Sequence, residues 1–232
     1  MDPLVLRELM SGLQSDHEQG ESPGWRLCRA CVDLIQVSSA GIMLRDDADN
    51  GTSLGFSDDL AGKVEDLQFT LGEGPGIDAH SFGRPVLGPR LDNPDRSPWP
   101  TFAPAAVGAG VLAAFGFPLR VGVIRLGSLD LYNGRSGDLH APQLADAIAM
   151  ADVVTSAVIT IQESAGAGSL ADEMDNPGDL RTVVHQASGM ISEQLEISIR
   201  SALLRLRAYA YSEGRSINDV AYDVVTRQLR FD

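Results

Sequence analysis

The sequence predicts an α+β domain followed by a small all-α unit. Three observations lead there. Between residues 39 and 132, strand-like apolar runs are mixed with helical segments and with stretches dense in Gly and Pro. From residue 180 onward the strand-like runs stop, and apolar residues recur at helical spacing in three short blocks. Residues 164–178, with Gly-Ala-Gly-Ser and Asp-Asn-Pro-Gly, divide the two patterns and have the composition of a linker. The predicted domains are 1–163 and 179–232, joined by 164–178.

Residues 4–13 are predicted as a short helix, and 23–37 as a second with Trp25, Cys28, Val32 and Ile35 on one face. Strands follow at 39–45 and 52–56, joined by the polar turn from Asp46 to Gly51. A helix covers 58–69. Residues 71–100 read mostly as loop, with short segments near 77–82 and 85–87. Strands at 112–119 and 125–132 pair around residues 120–124. A long helix from Ala141 to Gln162 closes the domain, with Leu144, Ile148, Ala151, Thr155, Val158 and Ile161 facing inward. Ala147, Met150, Val153 and Ile159 lie at other angles. That surplus predicts a second contact surface and a homodimer, unless residues 4–13 cover it.

The tail reads as three helices with almost no residue left over. Leu180, Val183, Val184, Ala187, Met190, Ile191 and Leu195 form the apolar stripe of the first. Ser198 is positioned to cap the second, whose stripe is Ile199, Ala202, Leu203, Leu206 and Ala210. Gly214 stands where a left-handed C-terminal cap is needed. Ser216 with Asp219 three residues on has the form of a capping box. It opens a third helix lined by Ile217, Val220, Ala221, Val224, Val225 and Leu229. The small Ala187, Gly189, Ala202, Ala210 and Ala221 are predicted to let the helices approach closely, so Gly189 and Ala202 should resist enlargement.

Charge is unevenly placed. Of 18 Lys/Arg and 32 Asp/Glu, residues 1–176 hold 11 and 25, and residues 177–232 hold 7 of each. An acidic first part repels phosphates and leaves the neutral tail as the tolerable approach for nucleic acid. No apolar run is read as membrane-spanning, and Met1-Asp2-Pro3 opens nothing like a signal peptide, so a cytoplasmic location is expected. Two cysteines argue against a disulfide scaffold.

The tail resembles an ANTAR domain, the RNA-binding output module of bacterial antitermination regulators. The matching residues are Gln186-Ala187-x-Gly189-Met190, Ala202-x3-Leu206-Arg207-x2-Ala210 and Val220-Ala221-x2-Val224-Val225. Where that family often has a basic residue in its first helix, this chain has Ser188. The upstream region resembles a GAF domain, an antiparallel sheet with helices on one side that commonly senses or dimerises. The residues are Leu71-Gly72-Glu73-Gly74-Pro75-Gly76, Gly83-Arg84-Pro85-Val86, Trp99-Pro100-x-Phe102, Phe117-Pro118-Leu119-Arg120 and Gly127-Ser128-Leu129-Asp130-Leu131-Tyr132. Together they resemble actinobacterial proteins that fuse GAF to ANTAR. Those relatives often carry Cys where Gly76 stands.

The resemblance implies a signal-responsive regulator that binds paired RNA stem-loops and acts by antitermination, without catalysis. Arg200 and Arg207 lie within about 20° of one another on the second tail helix, and Tyr211 within about 20° of Arg200. Guanidinium suits phosphate or base edges, and the ring suits stacking on an unpaired base. Arg181, His185, Ser188 and Arg215 complete the candidate RNA surface. Leu204 shares the face, so a protein-binding module is an open alternative. A second alternative is a GAF-fold enzyme resembling free methionine sulfoxide reductases, with Cys28 and Cys31 as its only thiols. Their Cys-x2-Cys spacing falls mid-helix, where packing cysteines are the plainer reading. Leu71–Gly76 lacks the Gly-Lys-Ser/Thr ending of a phosphate loop and reads as a turn lining the GAF cavity. No metal and no cofactor are expected, and the GAF ligand, if any, is unidentified.

Overall fold

The computed structural model describes residues 22–45, 51–93, 95, 97–165 and 180–231. They fall into two compact units, 22–45 with 53–165, and 51–52 with 180–231. The expectations for residues 4–13, for the aspartates at 46, 47 and 49, and for linker residues 166–178 lie outside the described residues.

The first unit runs α1 (Pro23–Ile35), β1 (Ser39–Arg45), β2 (Gly51–Phe56), α2 (Asp59–Leu71), α3 (Pro75–Phe82), β3 (Val86–Gly88), α4 (Phe102–Gly108), β4 (Ala113–Val121), β5 (Ile124–Asn133) and α5 (Ala141–Ala165). The strands form one sheet in the order β2-β1-β5-β4-β3. β5 pairs antiparallel with β1 and β4, and β3 pairs antiparallel with β4. Successive side chains on a strand point to opposite faces, and here both faces are covered. Ala40, Ile42, Phe115, Phe117, Leu129 and Leu131 join Leu27, Cys28, Cys31 and Ile35 of α1 and Met150, Val154 and Val158 of α5 in one core. The alternate residues Ala114 and Tyr132 join Ala61 and Val64 of α2 and Phe102 and Ala106 of α4 in a second. The expected single helical layer is therefore corrected to two.

Several predicted faces rotate. On α1 the buried residues are Leu27, Cys28, Cys31 and Ile35, while Trp25 and Val32 are half-buried. On α5 Ile148 is exposed, and Ala147, Met150 and Val153, expected on a free second surface, belong to the core. The homodimer expectation thus loses the surface that motivated it. The stretch Ala141–Gln162 is long and apolar enough to cross a membrane by length and composition, contrary to the sequence reading. Its buried apolar residues are those of a helix packed beside α1 on one face of the sheet. α4 was not predicted. Its first N–H groups, those of Thr101 and Phe102, are taken at 2.8 and 2.9 Å by the Glu73 carboxylate, a cap supplied by a distant residue.

The second unit consists of α6 (Leu180–Leu195), α7 (Ile199–Ser212) and α8 (Ile217–Val225). Ser198 Oγ accepts from Ser201 N–H, and Ser216 Oγ accepts from the N–H groups of Asn218 and Asp219, as the capping signals predicted. Each helix ends on a left-handed residue, Glu196, Gly214 and Arg227. At Gly214 the bonds Arg215 N–H to Ala210 O and Gly214 N–H to Tyr211 O form a Schellman cap. Val184, Ala187, Ile191, Ala202, Leu203, Leu206, Ala210, Ile217, Val220, Ala221 and Val224 are buried. Ile199 is instead 41% exposed, and Leu229 lies beyond the end of α8.

Gly189 is the clearest correction. It is exposed, with open space where a side chain would project, so it mediates no close approach. Gly189→Ala is therefore expected to raise stability by about 0.5–1 kcal/mol, because a mid-helix glycine carries excess unfolded-state entropy. A urea titration reads it; an unchanged or lowered midpoint refutes the open-space placement.

Candidate functional site

The tail surface is assembled from α7. Arg200 is exposed, Leu204 is 66% exposed and Tyr211 is 75% exposed. Arg207 is half-buried with its Nε sealed from water, and it holds a contact inside the fold. It borders the exposed face and does not stand free on it. Arg215 is committed to Asp223, Nη2 to Oδ2 at 2.7 Å. His185 is half-buried on α6. Arg181 lies in the first turn of α6, and its side chain is outside the described residues. Ser188 is corrected: it is buried, and its hydroxyl donates to Val184 O at 2.8 Å, so it offers nothing at the surface. Tyr222 of α8 is a further exposed aromatic, at 58%, that the sequence reading passed over.

A second constellation lies inside the first unit, between the sheet and helices α2 and α3. Glu65 and Gln68 of α2 and Ser128, Asp130 and Tyr132 of β5 are fully buried. Tyr132 OH donates to Glu65 Oε1 at 2.8 Å, and Gln68 Nε2 donates to Tyr132 OH at 2.8 Å. Asp130 Oδ2 accepts from Ser128 OH at 2.9 Å and from Gln68 Nε2 at 3.4 Å. Gln68 Oε1 accepts from Gly76 N–H at 2.9 Å, which ties the start of α3 into the chain of bonds. Burial first, then the neighbouring Glu65 charge, pushes the Asp130 carboxyl well above the usual carboxylate range. The same causes hold the Tyr132 phenol protonated. Gly41 and Gly76 are glycines because any side chain would collide with the Glu65 and Asp130 carboxyls respectively.

Ser128, Asp130 and Tyr132 were named from the sequence only as part of the GAF-like motif, without a site role, and Glu65 and Gln68 were not named. A signal existed in Ser128-x-Asp130-x-Tyr132, three polar positions on one face of a strand, and in Glu65 and Gln68 at helical spacing. Cys28 and Cys31 are free and buried in the opposite core. Burial pushes the Cys31 thiol up to about 12, and Cys28 donates to Gly55 O at 3.2 Å as a thiol. Neither has the thiolate character that a nucleophile needs. A separate pocket of about 290 Å³ opens between the Gly83–Pro85 turn, β4 and α5, lined by Phe117, Pro118, Arg120, Ile148 and Asp152.

No family model and no curated protein matches the chain. Solved structures do. The chain is similar to the GAF domain of a phosphoenolpyruvate-protein phosphotransferase from Coxiella burnetii, at 13% identity and a TM-score of 0.52 over 68% of this chain and 92% of that one. It is also similar to the GAF domain of the phosphoenolpyruvate-protein phosphotransferase from Acinetobacter, at 14% identity and a TM-score of 0.50 over 72% and 98%. The first unit thus has a GAF-like fold, an antiparallel sheet with flanking helices.

Proposed function

We propose that this protein is a cytoplasmic, signal-responsive RNA-binding regulator. Its C-terminal unit, an ANTAR-type module, grips stem-loops in nascent RNA and favours an antiterminator. Its GAF-like unit receives the signal. The observation that carries the reading is the α7 face, where Arg200, Leu204 and Tyr211 stand in water while the rest of that helix packs Leu203 and Leu206 inside. A small unit gains nothing in stability by exposing a leucine and a tyrosine beside an arginine, whereas an unpaired base takes the ring and a phosphate takes the guanidinium. The neutral charge of the tail beside an acidic first part supports the same approach. Pairing of two copies, one per stem-loop, now rests on the family resemblance alone.

RNA selected by the purified protein from a transcribed genomic pool supplies the ligand for the test. Arg200→Ala and Tyr211→Ala are each expected to weaken binding by about 1–3 kcal/mol with helical content unchanged. Arg207→Ala should also lower the melting temperature, since that side chain is engaged in the fold. Parent-like binding by both Arg200→Ala and Tyr211→Ala removes RNA from this face. A parent that selects no RNA leaves the Leu204 and Tyr211 surface to a protein partner.

A further inference from the structure

We propose that the pocket between β4, α5 and the Gly83–Pro85 turn binds a free α-amino acid with an apolar side chain. Its walls carry one charge of each sign. Arg120 of β4 and Asp152 of α5 both line it, and Phe117, Pro118, Ile148 and Ala151 supply apolar surface. The pocket shares no residue with the buried Tyr132 network.

Local geometry turns Arg120 toward this space. Phe117 and Leu119 face α5, so strict alternation would send residue 120 to the other side of the sheet. The ladder pairs Leu119 with Gly127 and Arg120 with Arg125, which leaves Leu126 unpaired between them. Such a bulge sharpens the twist and re-aims the side chains beside it. The Arg120 guanidinium is steadied by its Nη1–H bond to Gly122 O at 3.1 Å, in a turn where Gly122 is left-handed, φ 60°. That bond uses one of five N–H donors. Across the pocket the Asp152 side chain is exposed, and only its backbone carbonyl accepts, from Ser156 OH at 3.0 Å. Among the described residues Arg120 and Asp152 form no ion pair with each other.

These features select the ligand. A lone anion is repelled by Asp152, and a lone cation by Arg120. An uncharged apolar molecule strips water from both charges and offers neither a bond. A dipolar molecule satisfies both. The pocket holds about 290 Å³, the volume of a sphere about 8 Å across. A charge-assisted hydrogen bond of about 2.8 Å at each end leaves about 3 Å between them, the spacing of an ammonium and a carboxylate on one carbon. The side chain of the amino acid then faces Phe117 and Ala151 and covers Ile148, which is 45% exposed. As the signal of the GAF-like unit, this ligand rests on the reading of that unit as the receiver; its binding involves no RNA.

Calorimetric titration of the full-length protein with L-leucine, L-methionine and L-phenylalanine, without RNA, is the test. At least one should bind saturably below about 10 mM, the weak edge of specific recognition. Its amide, which lacks the carboxylate, and its deaminated acid, which lacks the ammonium, should each bind about five- to tenfold more weakly. Arg120→Gln and Asp152→Asn should each weaken the amino acid by the same factor, and Arg90→Gln, outside the pocket, should not. Saturation by none of the three, parent-like binding in both pocket variants, or an equal loss in Arg90→Gln overturns the assignment. If a pocket variant loses its helical signal, the amide and the deaminated acid on the parent decide. Amino-acid binding absent with RNA binding intact removes this ligand and leaves the RNA reading; the reverse result removes RNA and keeps the pocket.

Discussion

Leu206→Ala is expected to unfold residues 180–231 while residues 22–165 stay folded. Leu206 is fully buried on α7, and truncating such a leucine costs about 2–5 kcal/mol. A core built from three short helices rarely supplies more than about 3–5 kcal/mol in total, so one large side chain is most of the margin. The chain carries its own reporter, because Trp25 and Trp99 are its only tryptophans and both lie in the first unit. The variant should lose helical circular dichroism and RNA binding with tryptophan emission unchanged. A single melting transition at the parent's temperature, followed by both signals, would rule out Leu206 as the keystone of that core.

The second large effect is at Gly76, against the buried Asp130 carboxyl. Gly76→Ala should destabilise the first unit by about 1–3 kcal/mol, because the added methyl collides with the Asp130 carboxyl. Asp130→Ala vacates that space, so the penalty for Gly76→Ala should shrink in its background by about 0.5–3 kcal/mol. Denaturant titrations of the four proteins measure the coupling. An undiminished penalty would place the collision elsewhere, for instance at Gly116, whose α-carbon packs on the Pro75 carbonyl. Glycine 76 is intolerant and glycine 189 is permissive for one reason, the presence or absence of an atom where the methyl must go.

The tail was legible because its information is local. Helical spacing, Ser198, Ser216 and Gly214 act within a turn or two, and each is found where it was expected. The errors there came from reading residue type instead of angle. At 100° per residue Ser188 falls about 40° from buried Val184 and Gly189 about 140° from it, so spacing alone puts the serine inside and the glycine outside. The first unit was less legible where its structure depends on distant partners. α4 borrows its cap from Glu73, and α3 is short, opened by Pro75 and closed by left-handed Gly83. With 71–100 read as loop, nothing was seen to cover Ser128, Asp130 and Tyr132, and a polar strand face without a cover reads as facing water. The site went unseen because half of its walls did.

α3 is flanked by left-handed glycines, Gly72 with φ 67° and Gly83 with φ 64°. Its neighbourhood is also bolted to α4: Glu73 holds the Thr101 and Phe102 amides, and Asp78 Oδ2 receives Trp99 Nε1–H at 2.9 Å. A short helix swinging on two pivots would flutter. One riveted at two points to a neighbour is held with residues 99–102 as a single stiff plate. The mechanical consequence is that strain beneath the plate does not stay local: a methyl forced in at Gly76 presses on α3 and, through the Glu73 and Asp78 bonds, on the start of α4.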